Sequence, residues 1–278
     1  MTIPVDLDAA RSERFTVDRL DGVTLRARHF GRESDPLLVL LHGGGANAHW
    51  WDHLAPTLAE NHHVVAMDFR GHGDSDYPER VEVGAFDRDL DALLDHLGDP
   101  GALLVGHSMG AHIAVGRAAR CRSQRGVVAI EISRGSGRSD RRRTRLALAA
   151  RRTYPTYEEA VRRFQFVPRA RGVDPDLRVA SARQSVLEEE DGRFGFKFDA
   201  RWFSLPPADP PDFARIACPV LVIRGADSNL LTSQGTDELA ALIPDSRSVA
   251  IAGAGHNVHV ERPRQVLSAV ESFLAPLR

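Results

Sequence analysis

The stretch Leu103-Leu104-Val105-Gly106-His107-Ser108-Met109-Gly110-Ala111 decides the fold. An apolar run, typical of a buried strand, ends in Gly106, and a helix is predicted from Ala111 to Arg120. Between them lies the pattern G-x-S-x-G, in which the serine occupies a turn so tight that both flanking positions favour glycine, which has no Cβ to clash. The pattern therefore predicts that the Ser108 hydroxyl stands clear of the sheet edge, within reach of a histidine and a substrate.

Composition excludes several classes of function. The 278 residues suffice for one large domain, or a domain with an insertion, and the net charge of −2 argues against general nucleic-acid binding. The chain shows neither an apolar signal segment at its N-terminus nor an apolar run of membrane-spanning length, so we expect a cytoplasmic protein without membrane contact. Cys121 and Cys218 lie far apart, which predicts free thiols in a reducing compartment.

Strands alternate with helices through the first half of the chain and again near its end. Two N-terminal strands are predicted on either side of the hairpin turn Asp21-Gly22. Buried strands are predicted from the apolar runs at 37–41, 63–67, 103–106, 126–132, 219–224 and 247–251. Amphipathic helices are predicted over 86–97 and after Arg262-Pro263. This alternation predicts an α/β fold with a mostly parallel sheet covered by helices.

The alternation fails between Arg134 and Asp212. A helical segment is predicted over 138–152, a capping box at Thr156 and Glu159 opens a second helix, and Asp174-Pro175 opens a third. We therefore predict a core domain of residues 1–133 and 213–278, with a mainly helical lid, residues 134–212, inserted into it.

Three residues with complementary chemistry follow predicted strands: Ser108, Asp227 and His256. Parallel strands place their carboxyl ends on one sheet edge, so these residues are expected to converge there. Two other carboxylates are alternatives to Asp227 as the acid of this group, since Glu131 ends a predicted strand and Asp68 follows one. Asp227 is favoured over Glu131 because it precedes His256 by 29 residues, enough for one helix and one strand. Asp68 ranks third, since its polar loop predicts internal hydrogen bonding.

Five motifs in a fixed order resemble the α/β-hydrolase fold superfamily, and the resemblance covers nearly the whole chain. The motifs are His42-Gly43-Gly44, Asp68-Phe69-Arg70-Gly71-His72-Gly73, Gly106-His107-Ser108-Met109-Gly110, Gly225-Ala226-Asp227 and Gly255-His256. The resemblance implies a mostly parallel, eight-stranded sheet flanked by helices, with the lid inserted after strand six.

The resemblance also implies two-step acyl transfer. His256 would take the proton of Ser108, Asp227 would orient His256, and the alkoxide would attack a carbonyl to give an acyl-enzyme. The oxyanion would lie against the backbone N–H groups of Met109 and Gly44. No metal and no organic cofactor are expected.

The motifs are shared by enzymes that act on several classes of substrate. A serine nucleophile disfavours the haloalkane dehalogenases and epoxide hydrolases of this fold, which use aspartate. It leaves esterases, lactonases, carrier-protein thioesterases, carbon–carbon bond hydrolases and perhydrolases. We expect a serine hydrolase for a small, largely apolar acyl substrate; a ligand receptor with residual hydrolysis is the alternative from another class.

Several further residues are expected near the site or at a partner surface. The candidates for substrate contact are His49, Trp50, Trp202 and Phe203. His259 could line the pocket, although a surface position is favoured for it. The arginine-dense segment from Arg134 to Arg152 could dock an acyl carrier protein, although a solvated helix face is favoured there. The sequence predicts no oligomeric state.

Overall fold

The computed structural model describes residues 10–16, 22–135 and 138–277. The strands in this part of the chain are β1 (Arg11–Thr16), β2 (Thr24–Phe30), β3 (Leu37–Leu41), β4 (His63–Asp68), β5 (Leu103–His107), β6 (Gly126–Ile130), β7 (Val186–Glu188), β8 (Phe194–Phe196), β9 (Val220–Gly225) and β10 (Ser246–Ile251). The α-helices are α1 (Ala55–Leu58), α2 (Ala85–Leu97), α3 (Met109–Arg120), α4 (Arg138–Ala149), α5 (Tyr157–Arg163), α6 (Pro175–Ser185), α7 (Ser233–Leu242), α8 (Val258–Glu261) and α9 (Pro263–Leu274). Short 3₁₀ turns occupy Ala48–Trp51, Ala200–Ser204, Phe213–Arg215 and Ala275–Leu277.

Eight of these strands form one sheet in the order β1-β2-β4-β3-β5-β6-β9-β10. The strands from β4 to β10 in this order pair in parallel, whereas β2 is antiparallel to both β1 and β4. The predicted fold class, a mostly parallel sheet flanked by helices, is confirmed. Of the predicted N-terminal turn, Asp21 lies outside the described residues, while Gly22 has the positive φ of 63° that such a turn requires.

The sheet is buried on both faces because its central strands are apolar throughout. All five residues of β3 are buried, and their side chains alternate between two clusters. Val39 packs with α2 and α3 on one face, and Leu40 packs with α1 and α9 on the other. The outcome is a layer of helices on each side, with the carboxyl ends of β3, β5, β6 and β9 gathered at one edge.

Residues 134–212, which we call the insertion, separate β6 from β9 in the chain. It holds α4, α5, α6 and the small β7–β8 hairpin. Two of its helices begin at the predicted caps: Thr156 Oγ1 accepts from Glu159 N at 3.1 Å, and Asp174 Oδ1 accepts from Asp176 N at 2.8 Å. A third apolar cluster joins Phe164 and Phe166 to Trp50, so the insertion packs onto the core.

Two sequence expectations concern cysteines and membranes. Both cysteines are free; Cys218 is buried and Cys121 is partly exposed. Among the residues that the structure describes, no helix combines the length and the apolar character needed to cross a bilayer.

Core packing generates a stability prediction. Leu93 on α2 is fully buried, so Leu93→Ala should lower the free energy of unfolding by about 2–5 kcal/mol, through lost burial and the cavity left behind. Leu146 on α4 is 58% exposed, and Leu146→Ala should change the free energy of unfolding by less than about 0.5 kcal/mol. Urea unfolding of both variants measures the difference, and equal losses would contradict this assignment of the core.

Candidate active site

Ser108 occupies a sharp turn between β5 and α3. Its backbone has φ 51° and ψ −109°, a conformation that residues with a Cβ rarely adopt. A Cβ on Gly106 would overlap the backbone of Gly110, and a Cβ on Gly110 would lie 2.7 Å from the carbonyl carbon of Leu41. The turn therefore requires glycine at both flanking positions, as the sequence predicts.

His256 lies between Ser108 and Glu131. Its Nε2 is 3.0 Å from Ser108 Oγ, and its Nδ1 is 3.0 Å from Glu131 Oε2. Glu131 follows β6 directly and His256 follows β10, so both side chains reach the carboxyl edge of the sheet where Ser108 stands. The three side chains form one continuous hydrogen-bonded chain.

The position expected for Asp227 is wrong. Its side chain is exposed, while its backbone N–H donates to Ala254 O at 2.9 Å. The next residue, Ser228, is buried and points inward, so the tight turn after β9 directs the aspartate to solvent. Chain spacing brings Asp227 to the correct edge but does not determine which way its side chain points. Glu131, the alternative from the sequence, contacts His256 instead.

Glu131 is surrounded by hydrogen-bond donors. Its Oε1 accepts from Gly225 N at 2.7 Å, and its Oε2 accepts from Ser228 Oγ at 2.6 Å. The Ser228 hydroxyl oxygen itself accepts from the backbone N–H groups of Leu230 and Leu231, so its own proton is directed at Glu131. This arrangement suits a carboxylate, and a carboxylate beside Nδ1 favours the His256 tautomer that carries its proton there. Ser228 carried no signal in the sequence.

Burial acts on both members of the Glu131–His256 pair. It raises the pKa of Glu131, while the hydrogen bonds from Ser228 and Gly225 oppose that rise because they favour the carboxylate. Burial also lowers the pKa of His256 to about 4. His256 is therefore neutral at physiological pH, with Nε2 available to accept the Ser108 proton.

The glycine loop after β3 lies beside the serine. A Cβ on Gly43 would lie 2.7 Å from His107 Nδ1 and 3.4 Å from Ser108 Cβ, so this backbone packs directly against the turn. His42 fixes the loop: its Nδ1 lies 2.8 Å from Gly43 O, and its Nε2 accepts from Phe69 N at 3.2 Å. These contacts require the proton of His42 on Nδ1.

Asp68 has the structural role that its loop predicts. Its Oδ1 accepts from Ala48 N at 2.6 Å and its Oδ2 accepts from Asp74 N at 3.0 Å. Burial raises the pKa of Asp68 to about 6. The carboxyl group thus closes its own loop and binds the turn after the glycine loop.

Apolar side chains of the insertion cover the glycine loop. A Cβ on Gly44 would lie 2.8 Å from the Phe203 ring, and a Cβ on Gly45 would lie 2.7 Å from Leu148 Cδ2. Met109 is the first residue of α3, so its N–H has no acceptor within that helix. Gly44 and Gly45 therefore lie under apolar side chains, and the N–H of Met109 follows Ser108 directly in the chain.

A cavity of about 540 Å³ opens from the glycine loop into the insertion. Gly44, Gly45 and Trp50 line it on the core side. Its remaining walls come from α4, α5 and the segments around Tyr154, Phe166 and Phe198. A volume of this size suits a small molecule.

The four expected substrate contacts have different positions. Trp50 lines the cavity, and Phe203 lies over Gly44. His49 instead places its Nδ1 2.8 Å from Asp52 Oδ2, and the Trp202 ring packs on Phe86 with centroids 4.4 Å apart. His49 and Trp202 therefore stabilise neighbouring loops rather than the cavity wall.

A cluster of tilted imidazole rings packs against His256. The ring centroids of His107 and His256 are 4.9 Å apart, and those of His107 and His259 are 4.2 Å apart. His107 Nε2 donates to His256 O at 2.9 Å, and His53 Nε2 donates to His259 O at 2.9 Å. The expectation of a surface position for His259 is wrong, because this residue is 1% exposed and packs between Trp51 and His107.

The insertion and the histidine loop share a buried carboxylate. Glu261 Oε1 accepts from Arg171 N at 2.9 Å, and its Oε2 accepts from Gly255 N. Asn257 Nδ2 adds a hydrogen bond of 2.6 Å to Pro168 O. The loop that carries His256 is thus held by residues of the insertion.

The described part of the chain holds no cluster of side chains that could bind a metal ion. Within residues 10–16, 22–135 and 138–277, no three His, Cys, Asp or Glu side chains are grouped so that they could hold a metal ion.

Comparison with known proteins places this architecture in a family. Residues 38–269 match the model of the alpha/beta hydrolase family. A 2-(acetamidomethylene)succinate hydrolase of Mesorhizobium japonicum is 28% identical, over 95% of this chain and 96% of the relative. The crystal structure of E-2-(acetamidomethylene)succinate hydrolase superposes with a TM-score of 0.81 at 26% identity, covering 96% of this chain and 99% of that one.

Other relatives carry different activities in their names. An esterase of Mycobacterium tuberculosis is 26% identical, over 93% of this chain and 89% of the relative. Epoxide hydrolase A of the same organism is 29% identical, over 92% of this chain and 96% of the relative. The chain belongs to the alpha/beta hydrolase family. It is a hydrolase, and its relatives differ in the bond that they cleave.

Buried histidines generate a pH prediction for stability. Burial lowers the pKa of the site's histidines, which are His42, His53, His72, His107, His256 and His259. They stay neutral in the folded protein but ionise near pH 6.5 when unfolded, so below pH 6.5 the unfolded state binds more protons and stability falls. The raised pKa values of Asp68, Asp89 and Glu131 act in the opposite direction, but these carboxyls are fewer.

We expect the free energy of unfolding to fall by more than about 1.4 kcal/mol between pH 7 and pH 5.5. Urea unfolding at both pH values measures the change. Stability that is constant or higher at pH 5.5 would show that these histidines are not held neutral.

Proposed function

We propose that this protein is a serine hydrolase that cleaves a carboxylic ester of a small molecule through an acyl-enzyme. Ser108 is the nucleophile, His256 the general base and acid, and Glu131 the residue that orients His256. The single observation that supports this assignment is the hydrogen-bonded chain from Ser108 Oγ through His256 to Glu131, with both distances at 3.0 Å.

The first half of the reaction forms the acyl-enzyme, and the hydrogen bonds among Ser108, His256 and Glu131 determine its proton transfers. His256 Nε2 takes the Ser108 proton as Oγ attacks the ester carbonyl, and the imidazolium formed is stabilised by Glu131. Negative charge develops on the carbonyl oxygen, where the N–H groups of Met109 and Gly44 form the oxyanion hole. The tetrahedral intermediate then collapses: the ester C–O bond breaks and the alcohol leaves with the proton from His256.

The second half uses water in place of the serine. His256 takes a proton from the water, whose oxygen attacks the acyl carbonyl, and the ester bond to Ser108 breaks. The proton on Nε2 returns to Ser108 Oγ, and the carboxylic acid departs. Each proton that His256 accepts is given back, so Ser108 and His256 return to their starting protonation states.

We also propose that the insertion acts as a lid. Support comes from Phe203 and Leu148, which cover the glycine loop, and from the cavity walls that α4 and α5 provide. A roof that excludes water strengthens the hydrogen bonds to the developing oxyanion and sets the shape of the acyl site. On this view the insertion governs substrate choice, while the core performs the chemistry.

The nucleophile is tested with Ser108→Ala. We expect kcat for a p-nitrophenyl ester to fall on the order of 10⁴-fold, because no covalent intermediate can form. A fluorophosphonate probe should label the wild-type protein at Ser108 and leave the variant unlabelled, with the adduct located by mass spectrometry. An adduct on another residue, or wild-type kcat in the variant, would overturn the serine mechanism.

The assignment of Glu131 as the residue that orients His256 is tested with two matched substitutions of a carboxylate by its isosteric amide. Glu131→Gln should lower kcat by up to about 10⁴-fold, because an amide can neither hold the productive tautomer of His256 nor stabilise the imidazolium. Asp227→Asn should leave kcat within about twofold of wild type, since its side chain is exposed. Circular dichroism confirms that each variant is folded. A large loss in Asp227→Asn alone would return the acid to the loop after β9.

A further inference from the structure

Arginines line the walls of the cavity that opens from the glycine loop. Five of them contribute: Arg143, Arg151, Arg152, Arg163 and Arg169. Glu159 is the carboxylate among the lining residues that the structure describes. The cavity wall therefore carries a strong excess of positive charge, although the whole chain has a net charge of −2.

These arginines come from separate parts of the insertion. Arg143 lies on α4, Arg151 and Arg152 follow that helix, Arg163 ends α5, and Arg169 lies in the loop beyond. A solvated helix face would place its charges along one helix and direct them outward. Convergence from several segments onto one cavity is instead typical of a site that binds an anion.

Carboxylates of the protein satisfy only part of this charge. Arg151 pairs with Glu189, and Arg163 Nε lies 3.8 Å from Glu159 Oε1. Among the described residues, no carboxylate pairs with Arg143, Arg152 or Arg169. Three guanidinium groups with donors to spare thus border a cavity that ends at the glycine loop.

Much of the same cavity is apolar, and two of its side chains, Leu148 and Phe198, lie beside Gly45. Aromatic and aliphatic side chains line it, among them Trp50, Leu148, Phe164, Phe166 and Phe198. A molecule that fits this profile has an apolar body next to the reacting carbonyl and an anionic group farther out. Guanidinium groups bind carboxylate and phosphate oxygens with paired hydrogen bonds, so either anion satisfies the chemistry.

We propose that the substrate carries an anionic group, a carboxylate or a phosphate, that binds to Arg143, Arg152 and Arg169 while its ester carbonyl lies at Ser108. This inference rests on the serine-hydrolase function proposed above and names its substrate class. It also amends the expectation of a largely apolar substrate, because arginines line the cavity together with the apolar side chains.

The test compares two esters of equal length. Mono-p-nitrophenyl adipate replaces the terminal methyl group of p-nitrophenyl hexanoate with a carboxylate, and its methyl ester is an uncharged control. We expect kcat/KM to be at least about tenfold higher for the adipate than for either neutral ester. Raising NaCl from about 50 to 500 mM should reduce this preference, because salt screens exposed charges. Non-enzymatic hydrolysis is subtracted with Ser108→Ala.

Variants locate the anion site. Arg143→Gln, Arg152→Gln and Arg169→Gln should each reduce kcat/KM for the adipate about 3- to 10-fold and leave that for the hexanoate unchanged. The matched control is Arg142→Gln, since Arg142 neighbours Arg143 on α4 but lies on a different surface groove. Equal effects of Arg142→Gln and the three cavity variants would overturn the assignment.

A further experiment distinguishes a carboxylate from a phosphate as the preferred anion. Free adipate and inorganic phosphate are compared as competitive inhibitors of hexanoate hydrolysis, and stronger inhibition by one identifies the group that the arginines prefer. Inhibition by neither anion, together with equal kcat/KM for charged and neutral esters, would overturn the inference. In that case labelling of Ser108 and turnover of the hexanoate would persist, whereas failure of the proposed function would abolish both.

Discussion

Two adjacent strands, β5 and β6, are each followed directly by a residue whose backbone has a positive φ. The geometry of the site depends on this constraint. In the described chain, Ser108 and Glu131 are the non-glycine residues with positive φ, at 51° and 55°. Such positions cost free energy and persist only when their surroundings hold them. Here sheet hydrogen bonds do so: Ser108 N donates to Ile130 O, and Glu131 N donates to Ile223 O. Because β5 and β6 are parallel and paired at His107 and Ile130, the two strained residues emerge level with each other.

The loop of His256, which lies between Ser108 and Glu131, is held by two sets of hydrogen bonds. His107 donates to the carbonyl of His256, and Glu261 binds the backbone at Gly255 as well as the insertion at Arg171. Burial of the imidazole lowers the pKa of His256 and keeps the ring neutral, with Nε2 facing Ser108. The insertion therefore does more than cover the glycine loop, since it also binds the loop that carries His256.

The sequence predicted those features that short-range chemistry determines. The turn at Ser108 follows from glycines two residues to either side, and the helix starts at Thr156 and Asp174 follow from side chains that cap their own backbone. The choice of Glu131 over Asp227 depends on which way a side chain leaves a turn, and strand spacing carries no information about that. The arginine-lined cavity could not be predicted from the sequence either, because Arg143, Arg152 and Arg169 come to line one cavity only after the insertion has folded.

The position of Glu131 before the insertion divides the proposed catalytic groups unequally along the chain. An N-terminal piece ending in the exposed segment at 206–210 would contain both Ser108 and Glu131, along with the whole arginine-lined cavity. The C-terminal piece would supply β9 and β10, together with His256 and the Ser228 hydroxyl that binds Glu131. Exposed loops of this kind tolerate chain breaks. The molecule is thus suited to fragment complementation, in which restored turnover would report docking of a short C-terminal segment that carries the imidazole.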